Sequence, residues 1–460
     1  MAPKLRFGRL PFRNLCLDTL AGRDGVLHAV LTNGGWAVAG QAVHALVTLA
    51  ETLLLARFLS MDMFGVFVIL ASTAELIFGA LDFRTGEAVI KFVPELQRSR
   101  GHLAVSAFMR MLFLLDGTVA ILGFAVIVFA GSFIMQWLAL PTQYTIALAV
   151  LGGTVALKTM VRSIGSFLRV TNSFALSIKL GMAAMVLRLV VLTVTLVTAP
   201  AITTVSKAFA CSESLFFALS IAAAVGSFRA LDLNPLRPAG HLLTQERKSI
   251  TNFLFSTNLA GAFRILSTKL DVIVIAGLSS PAVVALYKVS TRIAGALMLF
   301  SDPLLLAIYP QMAQLHAQND NVRLTDLVIL LAKIMAIIAA LLIVLFACFG
   351  NWLLGTLAGA RYVEVQPVTL VMLLGTSLSM IFFWARPLLL VYGMASKVVL
   401  VALVALIFQF VCLYVMVPTL GVQGAGLAFT LYYGMMVFLF LYFLLRRTGF
   451  VFFQAKTSSN

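Results

Sequence analysis

The sequence has few charged residues, since Asp, Glu, Lys and Arg together make up only 11% of its 460 residues. Soluble domains carry roughly 25%. Hydrophobic residues make up 61% of the chain. This balance excludes an ordinary soluble domain and predicts an integral membrane protein. The net charge of +16 does not then indicate nucleic acid, because Lys and Arg collect on the cytoplasmic loops of membrane proteins.

Cysteine and the motifs of catalysis are also scarce. The four cysteines are scattered without pair spacing, which favours reduced thiols over a disulfide or a metal site. The sequence has no Walker-type phosphate loop, no GxSxG or HExxH motif and no Asp-x-Asp pair. We therefore expect neither an enzyme nor a bound cofactor or metal. The cysteines are Cys16, Cys211, Cys348 and Cys412.

Long apolar runs are abundant instead. Twelve of them have roughly the 20 residues that cross a hydrocarbon core. They predict an all-α polytopic membrane protein with about twelve transmembrane helices. The predicted spans are 33–56, 63–82, 106–131, 144–165, 178–199, 205–228, 252–276, 282–308, 328–350, 366–390, 398–417 and 423–445.

The distribution of positive charge predicts the orientation. With a cytoplasmic amino terminus, about 25 of the 33 Lys and Arg residues fall on the inner side, so both termini should face the cytoplasm. A polar connection divides six spans from six, which predicts two bundles related by a pseudo-twofold axis along the membrane normal. The leader is either an interfacial helix or a solvated basic tail. We expect this leader at 1–32, an N-terminal six-helix bundle at 33–228, a cytoplasmic linker at 229–251, a C-terminal six-helix bundle at 252–446 and a cytoplasmic tail at 447–460.

The two halves of the sequence also match each other at one constant offset, without a gap. Three polar positions are among the matches, which small apolar residues alone would not explain. Repeats of this kind are a recurrent plan of secondary transporters. The matching positions are Arg264, Thr268 and Asp271 in the second half and His44, Thr48 and Glu51 in the first.

Cations inside the predicted spans are the candidate binding site, because an ionisable side chain within a bilayer is costly and usually functional. Arg264 lies near the middle of the seventh span, and Lys288 and Arg292 lie one turn apart in the eighth. Three cations around one interior suit a diphosphate, whose oxygens Arg can bind bidentately. We predict that these residues bind an anionic substrate together with Thr268 and His44.

The carboxylates of the spans have two interpretations. Glu51 and Asp271 are candidates for proton or sodium coupling, and salt bridges that lock helices are equally plausible. Asp271 and Asp302 are also candidate partners for the arginine of the seventh span in a purely structural pair. Arg188 and Glu213 are predicted to pair across the fifth and sixth spans. A solvated cytoplasmic rim is predicted from Asp82, Arg84, Glu87 and Lys91.

Four segments, in order along nearly the whole chain, resemble bacterial polysaccharide exporters. The exporters in question are the lipid-linked oligosaccharide flippases of the multidrug/oligosaccharidyl-lipid/polysaccharide exporter superfamily. The most specific passage is Pro418-x-x-Gly421-x-x-Gly424-x-Gly426. The segments are ARFLSMDMFGVFVI from Ala56, LDVIVIAGLSSPAVVALYKVSTRIAGAL from Leu270, IYPQMAQLHAQND from Ile308, and the stretch from Tyr392 that contains this passage.

The resemblance implies two bundles around a cationic cavity that opens alternately to either side. It implies a substrate, undecaprenyl diphosphate carrying an oligosaccharide repeat unit, moved to the periplasmic leaflet for cell-surface polysaccharides such as O-antigen or exopolysaccharide. Glycosyltransferases and a polymerase of the same pathway are the implied partners, beside the substrate and the lipid bilayer. The alternatives are a multidrug or other lipid extruder of the same superfamily and, in another class, a membrane enzyme of polysaccharide assembly.

Overall fold

The computed structural model describes residues 23–171, 174–231, 233–234, 243 and 246–448. These residues form helices and connecting turns, and none of them lies in a strand. The leader before residue 23 and the tail after residue 448 lie outside the described residues. The helices are α1 Arg23–Phe58, α2 Met61–Ala80, α3 Thr85–Trp137, α4 Thr145–Val170, α5 Phe174–Thr198, α6 Ile202–Ala230, α7 Arg247–Leu278, α8 Pro281–Gly295, α9 Met298–Ala317, α10 Asn321–Leu357, α11 Gln366–Ile381, α12 Ala385–Val391, α13 Ala395–Leu420 and α14 Val422–Thr448.

Local sequence signals set several helix boundaries. The Asp320 side chain caps α10 by accepting from the Arg323 N–H at 3.0 Å. Pro281 occupies the first turn of α8, where its missing N–H costs nothing. Gly421 ends α13 with a φ of 56°, and Gly101 interrupts α3 with a φ of 73°. Only glycine adopts such backbone conformations cheaply, so these two residues set where helices stop and turn.

The predicted polytopic helical fold is confirmed. Ten helical stretches of the described residues are long and apolar enough to cross a membrane, and one of these, Met61–Trp137, contains two of the predicted spans. The span predicted at 252–276 lies within α7 but is not among the ten, and it carries three charges between residues 264 and 271. Two predicted spans are broken, since 282–308 comprises α8 with part of α9, and 366–390 comprises α11 with part of α12.

The helix boundaries repeat with the same period as the sequence. In three pairs of helices, one from each half of the sequence, corresponding ends are the same number of residues apart. This number equals the offset at which the two halves of the sequence match. The ends of α1 and α7 are Phe58 and Leu278, the starts of α2 and α8 are Met61 and Pro281, and the starts of α6 and α14 are Ile202 and Val422.

The chain packs into two compact units whose composition is not sequential. The end of α1 and the first half of α2 belong to the second unit, and most of α7 belongs to the first. The predicted bundles at 33–228 and 252–446 follow the sequence repeat, and that division stays a prediction. Unit 1 comprises Met1–Val47 and Leu70–Lys269, and unit 2 comprises Thr48–Ile69 and Leu270–Asn460.

The core of unit 1 contains a set of phenylalanines contributed by α3, α4 and α6. The rings of Phe167 and Phe228 lie 4.7 Å apart, and those of Phe92 and Phe108 lie 5.9 Å apart. All four are buried. Each ring removes a large apolar area from solvent, so this cluster stabilises the packing of α3, α4 and α6.

Unit 2 has its own core, which includes Met312, Leu388 and Phe440. Gly424, in the passage that resembles the exporters, lies so close to the Met416 carbonyl oxygen that a Cβ would collide with it. The start of α14 can therefore approach α13 only without a side chain. At another edge of this core the His316 ring lies 4.7 Å from Tyr392, where burial raises the pKa of the tyrosine hydroxyl.

Candidate functional site

The predicted site residues are distributed over both units. In unit 1, His44 and Thr268 are exposed, and the Thr268 hydroxyl donates to the carbonyl of Ile265 at 3.2 Å. Arg264 belongs to α7, but its side chain lies outside the described residues. Unit 2 contains Glu51, Asp271, Lys288, Arg292 and Asp302.

The two cations of α8 share one helix face. Lys288 and Arg292 are four residues apart and half-buried, and Arg292 lies in the last turn of α8. A buried hydrogen bond from Thr369 to Ser290, 2.9 Å long, ties α11 to this helix. The sequence therefore correctly placed these two cations one turn apart, on a helix that is anchored from the neighbouring α11.

Asp271 is held by two donors. The Tyr287 hydroxyl donates to its Oδ2 at 2.6 Å, and the Val272 N–H donates to its Oδ1 at 2.8 Å. Tyr287 is itself buried and packs edge-on against Phe429, with ring centroids 6.4 Å apart. Sequence reasoning missed Tyr287, although it stands directly before one of the predicted cations. The coupling role of Asp271 stays a prediction, now with a fixed hydrogen-bonded geometry.

The other carboxylates of unit 2 differ in exposure. Glu51 is buried, at 4% exposure, whereas Asp302 is exposed. A buried carboxylate in a predicted span is the costlier arrangement and is retained only with compensating contacts. The proposed coupling role of Glu51 and the proposed structural pairing of Asp302 both remain predictions.

A second set of charges lies near the middle of α4, α5 and α6 in unit 1. Lys158 Nζ lies 4.0 Å from Oε2 of the buried Glu213. Arg188 stacks over the Phe209 ring at 5.4 Å, and its charge also acts on Glu213. The predicted pairing of Arg188 with Glu213 stays a prediction. Lys158, which the sequence analysis did not single out, lies midway along α4 beside that carboxylate.

The connection between α2 and α3 is a polar break. Asp82 forms an ion pair with Arg162 of α4 and also accepts from the Arg84 N–H at 2.9 Å. Arg84 has a φ of 49° and pairs with Glu87 at 2.6 Å. The prediction of a solvated rim is therefore wrong for Asp82 and Arg84, whose side chains are only 20% and 19% exposed. Lys91 is exposed, as the rim prediction requires, and its Nζ lies 4.5 Å from the Phe253 ring centroid.

Helix α7 satisfies the backbone of this break. The Asn258 side chain donates to the carbonyls of Ala80 and Asp82 at 3.4 and 3.0 Å. The Thr257 hydroxyl lies 3.4 Å from the Phe83 carbonyl and donates to it. The end of one helix and the start of the next leave carbonyl groups without intrahelical partners. The contacts from α7 supply partners for these groups.

Asp116 is a further buried carboxylate that sequence reasoning missed. It lies in α3 at 4% exposure and accepts from Thr85 Oγ1 at 2.8 Å and from Ser163 Oγ at 2.6 Å. The signal for it was present, since it is the one acidic residue in the predicted span 106–131. Within the ranges that the structure describes, no three His, Cys, Asp or Glu residues are arranged to hold a metal ion.

Solved structures with a similar architecture are membrane transporters. An inward-facing multidrug resistance MATE family transporter of the MOP superfamily aligns with a TM-score of 0.69 at 13% identity, over 90% of this chain and 96% of that chain. The chain has the fold of these transporters. The lipid II flippase MurJ, in an inward closed conformation, aligns with a TM-score of 0.67 at 11% identity, over 88% of this chain and 86% of that chain.

A MOP superfamily transporter from Pyrococcus furiosus also aligns, with a TM-score of 0.55 at 13% identity, over 94% of this chain and 96% of that chain. No protein-family model and no curated protein matches the sequence. Identities of 11% to 14% establish a shared fold, so the substrate has to be argued from the residues of this chain.

Proposed function

We propose that the chain is a flippase that moves a polyprenyl-diphosphate-linked oligosaccharide from the cytoplasmic to the periplasmic leaflet. The fold supports a transport function, because the similar structures are transporters and one of them is a lipid II flippase. The proposal places the protein in a bacterial inner membrane with both termini in the cytoplasm. Glycosyltransferases and a polymerase of the same pathway are its proposed partners.

The observation that carries the proposal is the pair of cations on one face of α8. Lys288 and Arg292 are half-buried, four residues apart, on a helix of a predicted membrane span. An ionisable side chain within a predicted span is costly and is usually functional. A diphosphate supplies several anionic oxygens, which Arg binds as a fork and Lys as a point charge. Arg264, Thr268 and His44 remain proposed members of the same site.

A multidrug extruder is the second candidate, and the MATE structures among the comparisons favour it. Extruders of organic cations need carboxylates that are available to the substrate. In this chain Asp271 is engaged by Tyr287, and Glu213 lies beside Lys158. The compensated carboxylates and the surplus of cations both disfavour a cationic substrate. The Pyrococcus furiosus transporter has the same fold, and the reverse polarity of its binding pocket suggests a different function for that protein.

The test is translocation of a fluorescent polyprenyl-diphosphate oligosaccharide by purified protein in proteoliposomes. Removing one charge-assisted contact costs about 1.5 to 3 kcal/mol, so Arg292→Ala should weaken apparent affinity by about 10- to 100-fold. Arg323→Ala is the matched control, because Arg323 is a 78% exposed arginine that pairs only three residues away with Asp320. The control should transport normally.

Each outcome of this test is informative. Equal transport by Arg292→Ala, Lys288→Ala and the unmodified protein would remove α8 from the site. Transport of an organic cation in place of the lipid, with gain rather than loss on neutralising the two cations, would support the multidrug candidate instead.

A further inference from the structure

Asp116 joins two parts of α3 that run in opposite directions. Thr85 precedes the interruption at Gly101 and Asp116 follows it, at nearly equal distances along the chain. The hydrogen bond between them, 2.8 Å long, therefore requires the segment before Gly101 to fold back along the segment after it. Ser163 adds α4 to the same point at 2.6 Å. One buried carboxylate thus connects the start of α3, its middle and α4.

The direct partners of Asp116 are neutral. Both are hydroxyl groups, which can donate to an ionised carboxylate and can also accept from a protonated one. The charged groups that act on Asp116 are Arg162 of α4 and Asp82 before α3. Arg162 is committed to Asp82 through an ion pair. One guanidinium therefore acts on both carboxylates, and its ion pair is with the less buried one, Asp82.

We propose that Asp116 is a proton-binding site whose occupancy controls the Arg162–Asp82 pair and, through it, the break between α2 and α3. With a proton on Asp116, the carboxyl group is neutral and Arg162 stays with Asp82. When the proton leaves to water, the carboxylate left behind is expensive to keep buried without a cation. Arg162 is the cation that acts on it, so this guanidinium is drawn from Asp82 towards Asp116.

The connection between α2 and α3 should respond to the state of Asp116, because Asp82 forms hydrogen bonds within that connection. The Asp82 carboxylate accepts from the Arg84 N–H, and its backbone carbonyl accepts from Asn258. Arg84 holds a left-handed conformation that this hydrogen bond helps to maintain. A change in the Asp82 pairing therefore reaches the turn and its attachment to α7. The Arg162 side chain is 41% exposed.

This inference goes beyond the proposed function, because it concerns how unit 1 changes state and not what the protein carries. Its first test is infrared difference spectroscopy on the purified, unmodified full chain titrated from about pH 5 to about pH 9. We expect a carboxylic-acid C=O band that disappears as pH rises and is missing in Asp116→Asn. Persistence of the same band in Asp116→Asn would overturn the proposal.

A matched control separates Asp116 from other buried carboxylates. Glu213 is buried to a similar degree, at 6% against 4%, but has Lys158 within 4.0 Å. Glu213→Gln should leave the titrating band in place. Asp116→Glu, which keeps a carboxyl group, should retain a band at a shifted position, and this variant guards against a loss that only reflects misfolding.

The second test measures reagent access to the connection between α2 and α3. In a chain whose four native cysteines are replaced, the substitution Leu81→Cys reports access of a thiol reagent to the turn. Because a thiol reacts as its thiolate, each rate is divided by that of an exposed reference cysteine at the same pH. We expect this ratio to depend on pH in this background and to lose that dependence when Asp116→Asn or Arg162→Gln is added. Thr85→Val, which removes one of the two donors, should move the pH at which labelling changes. A ratio that does not change with pH, or that changes with sodium concentration at constant pH, would overturn the proton site.

Discussion

Replacing Tyr287 by Phe removes the hydroxyl that donates to Asp271 and leaves the ring in place. The hydrogen bond is 2.6 Å long, Tyr287 is 1% exposed and Asp271 is half-buried. A hydrogen bond to a charged group contributes about 1.5 to 3 kcal/mol. We expect Tyr287→Phe to destabilise the protein by about that amount.

The assay is a double-mutant cycle on detergent-solubilised protein, with the free energy of unfolding measured for Tyr287→Phe, Asp271→Asn and the double variant. If the hydroxyl acts through Asp271, the coupling energy between the two substitutions should be about 1 to 2 kcal/mol. A coupling energy near zero, with Tyr287→Phe equally costly in both backgrounds, would refute the reasoning.

Two further predictions concern close packing and the polar break. Gly424→Ala should destabilise unit 2 by about 1 to 3 kcal/mol in thermal unfolding, because its Cβ would collide with the Met416 carbonyl. Gly434→Ala, where no atom lies within 4 Å, should have little effect, and equal losses would contradict this account. Asn258→Ala should increase hydrogen exchange at residues 81–84, and unchanged exchange would mean that the side chain does not hold the break.

Apolar run length and the repeat predicted most of the fold. A run of some 20 apolar residues has few alternatives to a membrane-spanning helix, because every backbone polar group must be satisfied within the segment. The repeat was visible at Arg264, Thr268 and Asp271, and the helix boundaries reproduce its offset at Met61 and Pro281.

Broken helices were not predictable in the same way. Leu81 to Arg84 reads as the polar end of one span, and nothing local shows that Thr257 and Asn258 will satisfy its carbonyls from α7. Those contacts join residues that are far apart along the chain. Hydrogen bonds between residues distant in sequence stabilise such a break, and local sequence patterns do not reveal them.

Sequence patterns locate the charged residues of the candidate site but do not show which of them pair. Lys288 and Arg292 were recognisable as cations one turn apart. Lys158 was not recognised, because its position relative to Glu213 depends on how α4 packs against α6. The sequence shows Asp116 as a lone carboxylate in an apolar run. Its role becomes apparent only from its two hydroxyl partners, which the fold brings to it.

The measurement that tests the central claim most directly is a comparison of two substrates with the unmodified protein in proteoliposomes. One is a polyprenyl-diphosphate oligosaccharide and the other is a fluorescent organic cation. The proposed function predicts translocation of the lipid-linked oligosaccharide and none of the cation. Translocation of the cation alone would contradict it and identify the chain as an extruder built on the same fold.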